Sequence, residues 1–277
     1  MRLNQTKNTV MIKSLFFDID GTLVSFKTHE IPSSTVRAIE TAHAKGIGIY
    51  ISTGRPKEII TNLGGIENCI DGYITTNGAL CFVYDKKTGR RMEICCNPIP
   101  ACDVETLIGD AEKNGYPCVV VGDSDVAVYN HGSAFDRVFV EGLKVNNIDL
   151  SKDALQIVKT QRILQFSPFI DICREKALMQ RMNNCVSGRW HPEFTDITSR
   201  KADKGHGLMA MAGYLGLDIS ETMAFGDGGN DTAILRTAGI GVAMGNGCAE
   251  AKAAADHVTG SVDDNGIMNA LVHFGVI

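Results

Sequence analysis

Tryptophan occurs once and proline seven times among 277 residues, and aromatic residues make up only 6%. Positive charge is not in excess: 27 Lys and Arg face 32 Asp and Glu, a formal net charge of −5. That balance excludes a wide basic footprint for a nucleic-acid backbone. The densest basic stretch, Lys86 to Arg91, surrounds a turn and reads as a solvated hairpin tip. No run approaches the roughly 18 apolar residues of a membrane-spanning helix. Met1 to Lys13 carries Arg2, Asn4, Gln5, Lys7 and Asn8, so it lacks a signal-peptide core. Met11 is an alternative start, with residues 1–10 a disordered extension. The nine cysteines are odd in number and include no CxxC pair. Adjacent Cys95 and Cys96 have no HxH or HExxH companion, so a zinc knuckle is not indicated. The cysteines read as buried, reduced thiols. A cytoplasmic, monomeric protein without membrane or nucleic-acid partners is expected.

What is present is a full core, with 44% hydrophobic and 21% charged residues, in a chain long enough for about two domains. Both ends alternate strand and helix. Ser14–Phe17 is a short apolar run stopped by Asp18, and a helix follows over Ser33–Ala44 between Pro32 and Gly46. Ile47–Ile51 is apolar on both faces, as in a strand covered on both sides. Pro56 opens a further helix, and Tyr73–Thr76 is a third strand. Toward the C-terminus, a helix carries Leu208, Ala212 and Leu215 on one face. Strand Thr222–Phe225, helix Thr232–Thr237, strand Ile240–Ala243, helix Ala249–Ala255 and strand His257–Thr259 follow. This pattern argues for a doubly wound parallel sheet of the α/β class. Residues 97–194 differ in grain. Cys118–Val121 and Val126–Tyr129 flank a Gly122-Asp123 turn, a strand lies near Ile163–Phe166, and helices lie near Asp103–Lys113 and Glu175–Asn183. The reading is a discontinuous core of 1–96 and 195–277 with an α+β domain, 97–194, inserted. Pro98 and Pro100 mark the way in and Ser199–Asp203 the way back.

Chemistry concentrates at four strand ends. Asp18-Ile19-Asp20-Gly21-Thr22 follows the first strand, and a turn at Gly21 can fold the second carboxylate back over the first. Two acids held there repel unless a cation or proton neutralises them; an acidic turn with an Asx cap is the plainer alternative. Ser52-Thr53-Gly54-Arg55 places a hydroxyl and free amides at a strand-to-helix turn, a cradle for an anion. Strand alternation lets only one of Ser52 and Thr53 face the site. Lys204, in Asp203-Lys204-Gly205 at a helix start, opposes the helix dipole; it is either functional or a solvated surface residue. Gly226-Asp227-Gly228-Gly229-Asn230-Asp231 adds oxygen donors of the kind that Mg²⁺ takes. There Asp231 can also serve as a helix N-cap.

Together these motifs strongly resemble the haloacid dehalogenase-like superfamily of phosphotransferases, and more closely its Cof-type, sugar-phosphatase-like branch with a large inserted cap. Thr76-Asn77-Gly78-Ala79 and Gly241-Val-Ala-Met-Gly-Asn246 extend the resemblance over both core segments, whereas 97–194 carries little of it. Gly247, where the family often has Ala, and Ile234-Leu235, where it often has Met-Leu, depart from the pattern without touching the chemistry. The resemblance implies an Mg²⁺-dependent phosphatase of small phosphorylated metabolites, sugar phosphates foremost. Asp18 would attack phosphorus to give an aspartyl-phosphate, and Asp20 would act as acid and base. The metal would be held by Asp18, the Asp20 carbonyl and Asp227, with Asp231 behind it orienting a water or Lys204. Thr53, the Ile19 and Gly54 amides, Lys204 and Asn230 would hold phosphoryl oxygens. Arg55, Asn77, Trp190 and His191 are candidate substrate contacts, although Trp190 reads more readily as an ordinary core residue and His206 as a helix-surface histidine. A phosphomutase, a phospho-accepting receiver module and a non-catalytic sugar-phosphate-binding module are the alternatives.

Overall fold

The structure is a computed structural model that describes residues 11–85, 87–143 and 145–277. The extension over 1–10 and Lys86 of the basic turn lie outside the described residues. β1 (Ser14–Phe17) is buried at every position. α1 (Ser33–Ala44) buries Ala38, Ile39 and Ala42, and β2 (Gly48–Ser52) pairs parallel with β1. The helix expected from Pro56 is only a 3-10 turn, Lys57–Ile59, because Ile60 returns to extended backbone. β3 (Ile70–Thr75) is parallel to β2, but β4 (Leu80–Tyr84) and β5 (Arg91–Cys96) run antiparallel beyond it. The basic turn connects these two strands, with Lys87 to Arg90 exposed.

The chain then builds a second sheet. α2 (Ala101–Asn114) leads to the hairpin β6 (Cys118–Gly122) and β7 (Val126–Tyr129). α3 (Ser133–Phe135) runs into a π-helical segment, Asp136–Gly142, and α4 (Ala154–Thr160) is capped by Asp153. β8 (Ile163–Pro168), α5 (Ile172–Met179), β9 (Cys185–Gly188) and β10 (Asp196–Ser199) complete it. The order is β7-β6-β8-β10-β9, and every pairing is antiparallel. The sequence boundary at 194 therefore falls short. β10 belongs to this sheet because Ile197 pairs with both Phe166 and Ser187. The helix expected over Glu175–Asn183 is shifted N-terminally, since Asp171 caps it through the Arg174 amide.

α6 (Lys204–Leu215) returns to the first sheet, followed by β11 (Thr222–Gly226), α7 (Thr232–Thr237) and β12 (Ile240–Ala243). α8 (Ala249–Ala254), β13 (His257–Val258) and α9 (Gly266–His273) close the chain. The eight strands run in the order β13-β12-β11-β1-β2-β3-β4-β5, so β1 is central and lies beside β11. Alternation along β1 and β2 divides the core into two layers. Leu15, Phe17, Ile49 and Ile51 pack with Ala38 and Ile39 of α1 and Ile267 of α9, whereas Phe16 and Tyr50 pack with Leu208 and Met211 of α6. Among the described residues no helix is long and apolar enough to cross a membrane. The thiols are less uniformly buried than their number suggests, for Cys102 and Cys173 are exposed.

One glycine fixes how β3 meets α6. Gly78 has φ +90°, and a Cβ there would lie 2.1 Å from the Asp203 carbonyl oxygen. Gly78→Ala is expected to cost about 2–3 kcal/mol, from left-handed strain together with the backbone clash. Urea unfolding of the two proteins checks this, and an unchanged midpoint would contradict it.

Candidate active site

The carboxyl ends of β1 and β11 lie side by side, and the turns that leave them carry the acidic residues. The Asp18 amide donates to the Phe225 carbonyl at 3.1 Å, which keeps the two strand ends in register. Asp18, Asp227 and Asp231 each bring a carboxylate oxygen within 4.8 Å of the others. Asp18 and Asp231 are buried, and Asp227 is partly so. Lys204, the first residue of α6, is wholly buried; its Nζ donates to Asp18 Oδ1 at 2.6 Å and to Asp231 Oδ1 at 2.5 Å. The surface alternative for Lys204 is thus overturned: α6 packs on the sheet and delivers this side chain to its carboxyl edge.

Asp231 precedes α7 but makes no side-chain cap to that helix. Its Oδ2 instead accepts the Asp227 and Gly228 amides at 3.0 and 2.8 Å. With Oδ1 taken by Lys204, both its oxygens are engaged, so Asp231 braces the cluster. Thr22 donates to Asp227 Oδ1 at 3.0 Å. Gly21 allows this approach, since with φ +84° a Cβ would lie 2.3 Å from Asp227 Oδ2 and 2.6 Å from the exposed Phe26 ring. Asn246 donates to the Gly21 carbonyl at 2.8 Å and accepts the Val262 amide, tying the first loop to the C-terminal segment. Sequence reasoning assigned no task to Thr22, Phe26 or Asn246, though Thr22 and Asn246 lie within the quoted motifs.

Asp20 is less buried and turned toward Arg55, whose Nε and Nη2 each donate to one of its oxygens at 2.8 Å. This forked pair holds the Asp20 carboxylate in one orientation. Thr53 is buried, its Oγ1 accepting the Arg55 amide at 3.1 Å, while the buried Ser52 Oγ has no partner among the described residues. The amide of Asn77 donates to the Thr53 carbonyl, and Asn230 Nδ2 donates to Asn77 Oδ1 at 3.0 Å, so Thr53, Gly54, Asn77 and Asn230 converge. Ile19 is buried between the two first aspartates.

The electrostatics follow from that crowding. Burial and the Asp231 charge push the Asp18 carboxyl well above the usual range, against the pull of Lys204. Burial and Asp231 likewise raise Asp227 to about 6. Burial would lower Lys204, but Asp18 and Asp231 reverse this and keep it protonated. The cluster is short of positive charge, and its donors are hard carboxylate oxygens, a set that fits a divalent cation of the Mg²⁺ kind.

Trp190 and His191 make their contacts within the second sheet's own elements. Trp190 is 60% exposed rather than a core residue; its Nε1 donates to Asp196 at 2.9 Å, and its ring meets Phe194 edge-on. His191 stacks on Phe194 at 5.1 Å. His206 is exposed beside Asp203, as expected of a helix-surface histidine. Asp196 is buried, and burial pushes it up to about 6 despite hydrogen bonds from Ser167 and Trp190. A carboxyl with a folded-state pKa above its unfolded value favours folding most at low pH. Its contribution is lost as pH rises from about 4 to about 6. From a shift of 3.8 to about 6 we expect roughly 3 kcal/mol across that window. Urea titrations at pH 4 and pH 7 should show that difference shrinking in Asp196→Asn; an unaltered difference would exclude Asp196 as its source.

The model of the haloacid dehalogenase-like hydrolase family matches residues 15–271. The Bacillus subtilis (strain 168) protein named "Putative phosphatase YkrA" is 30% identical over 271 residues, covering 96% of this chain and 98% of its own. The solved structure of BT4131, described as a HAD subclass IIB sugar phosphatase, is 44% identical with a TM-score of 0.86, covering 96% of this chain and 100% of that one. BT1666 from Bacteroides thetaiotaomicron, described among HAD phosphatases, is 34% identical with a TM-score of 0.84, and 98% of each chain is covered. With the acidic motifs at the strand ends and likeness along nearly the whole length, the chain belongs to the haloacid dehalogenase-like hydrolases and is one of their phosphatases.

Proposed function

We propose that the protein is an Mg²⁺-dependent hydrolase of small phosphorylated metabolites, chiefly sugar phosphates, working through an aspartyl-phosphate on Asp18. The observation that carries this reading is the buried Lys204 bridging Asp18 and Asp231 where β1 and β11 end. A carboxylate anchored through one oxygen keeps the other for attack on phosphorus, and one difficult displacement becomes two easier ones. Asp20, oriented by Arg55, protonates the departing alcohol and then takes the proton of the hydrolytic water. Thr53, the Ile19 and Gly54 amides, Lys204 and Asn230 cradle the phosphoryl oxygens, where charge spreads during transfer. Asp18, Asp227 and the Asp20 backbone carbonyl would hold Mg²⁺, which when bound offsets the repulsion between an anionic nucleophile and an anionic phosphate. Asp231 positions Lys204 and the Asp227 loop and is not a ligand in this scheme.

In this reading residues 97–194, extended through β10, act as a lid over a core of 1–96 and the C-terminal segment. The lid excludes water in the first step and reads the organic part of the substrate. Arg55, Asn77, Trp190 and His191 are its candidate contacts with that part. Support for a sugar phosphate comes from BT4131, a sugar phosphatase of similar sequence. The test is phosphate release from a panel of hexose, pentose and nucleotide monophosphates, with Mg²⁺ and with excess chelator. Metal-dependent release that favours sugar phosphates is expected. A rearranged sugar phosphate in place of free phosphate would indicate a mutase instead, and turnover untouched by chelation would exclude the metal.

A further inference from the structure

We propose that Cys81 and Cys95 form a redox pair that a peroxide closes into an intrachain disulfide, stapling β5 to β4 just before the chain leaves for the second sheet. The two residues are directly opposed in the antiparallel pairing of these strands. Partners of this kind sit roughly 4.5–5.5 Å apart at Cα, inside the ~4.4–6.8 Å that a disulfide spans. An irregularity decides which of the adjacent thiols is the partner. Phe82 opposes Glu93 and Cys81 opposes Cys95, so Ile94 is an extra residue that breaks the alternation of β5. Cys95 therefore shares the layer of Cys81, Ile74 and Leu208, while Cys96 falls in the opposite layer, across from Leu80.

Burial differs within the pair. Cys81 is fully buried, under Gly207 of α6, whereas Cys95 is half-buried and reachable from solvent. The Cys81 thiol beside it holds Cys95 below the ordinary thiol range, while Cys95 and burial raise Cys81. Cys95 is thus the attacking sulfur and Cys81 the resolving one. The Cys95 thiolate attacks one oxygen of hydrogen peroxide, the O–O bond breaks, and the other oxygen leaves as water once protonated. The Cys81 sulfur then attacks the resulting sulfenic sulfur. The S–O bond breaks, and the hydroxyl departs with the Cys81 proton as a second water. Two thiols have lost two electrons and two protons, and one peroxide has become two waters. The staple has a place to act, because among the described residues β5 is an edge strand paired with another strand on one side only, and the Asn97 amide that follows it still bonds the Ala79 carbonyl.

The test treats the reduced full-length protein with hydrogen peroxide, blocks the remaining thiols and maps peptides without reduction. Expected are two fewer of the nine free thiols, a single Cys81–Cys95 link, its reversal by dithiothreitol and a higher melting temperature in the oxidised form. Cys96→Ser should retain the link, and Cys95→Ser should lose it while Cys81 stays reduced. A Cys95–Cys96 link, a disulfide between two chains, or oxidation confined to the exposed Cys102 and Cys173 would each overturn the proposal.

Discussion

Asp18→Asn is expected to lower kcat/KM by about 10⁴-fold or more while leaving the protein folded. The amide keeps an oxygen that can accept from Lys204, so the geometry around Nζ survives. What disappears is the anionic oxygen that forms the bond to phosphorus in the proposed mechanism, and no neighbour can replace it. Asp231 spends both oxygens on Lys204 and two backbone amides, and Asp20 is held by Arg55. Stability should not fall, because burial and Asp231 already oppose the charge that the substitution removes. Phosphate release and thermal unfolding, measured on the same preparation, check both halves. Full activity in Asp18→Asn would remove Asp18 as the nucleophile.

Lys204→Met is expected to be destabilising by about 3–5 kcal/mol at pH 7, as well as inactive. A wholly buried ammonium that loses its place leaves Asp18 and Asp231 facing each other without compensation. Its raised pKa means that the native lysine's contribution is complete below the unfolded value of about 10.4 and is lost only above it. The wild-type contribution is therefore constant over ordinary assay pH. In Lys204→Met the stranded Asp18 carboxylate, already pushed upward by burial and Asp231, takes up a proton, so stability should recover in acid. Adding Asp231→Asn to the same chain should restore much of the stability and none of the turnover. Urea unfolding at pH 5 and pH 7 distinguishes these cases, and a Lys204→Met protein as stable as the native one would mean that the buried bridge contributes nothing net.

The legible parts of this fold are those with local punctuation. Ser14–Phe17 is followed by an aspartate and α1 lies between Pro32 and Gly46, so both were readable at their bounds. Ile240–Ala243 was likewise recovered to the residue, and Thr232–Thr237 lies in a helix as expected. β4 and β5 were not, although the turn between them was, because Leu80–Tyr84 is apolar without alternation and its antiparallel sense depends on Tyr73 and Cys95 lying either side. The short β9 and β10 had no periodicity to read and form only because β8 offers an edge. At the site, motif spacing found the aspartates, but pairings across the fold left no local trace. Arg55 and Asp20 are 35 positions apart, and Lys204 and Asp18 are 186 apart. A lysine at a helix start looks solvated until the sheet that buries it is in place.

The central position of β1 has a consequence for how the chain is made. One of its neighbours, β2, arrives within a few dozen residues, but the other, β11, is about two hundred residues away; Thr22 and its acceptor Asp227 are separated by 205 positions. At ribosomal speeds of about 5–20 residues per second, that interval lasts roughly ten to forty seconds. Throughout it the nascent chain presents an unpaired hydrophobic strand edge, the template that promiscuous strand addition uses. Fragments that stop before Thr222 keep that edge for good and should be recovered as aggregates or bound to chaperones. In the proposed mechanism the site stays incomplete until residues 204–231 emerge, because they supply Lys204, Asp227 and Asp231 to the Asp18 made about two hundred residues earlier.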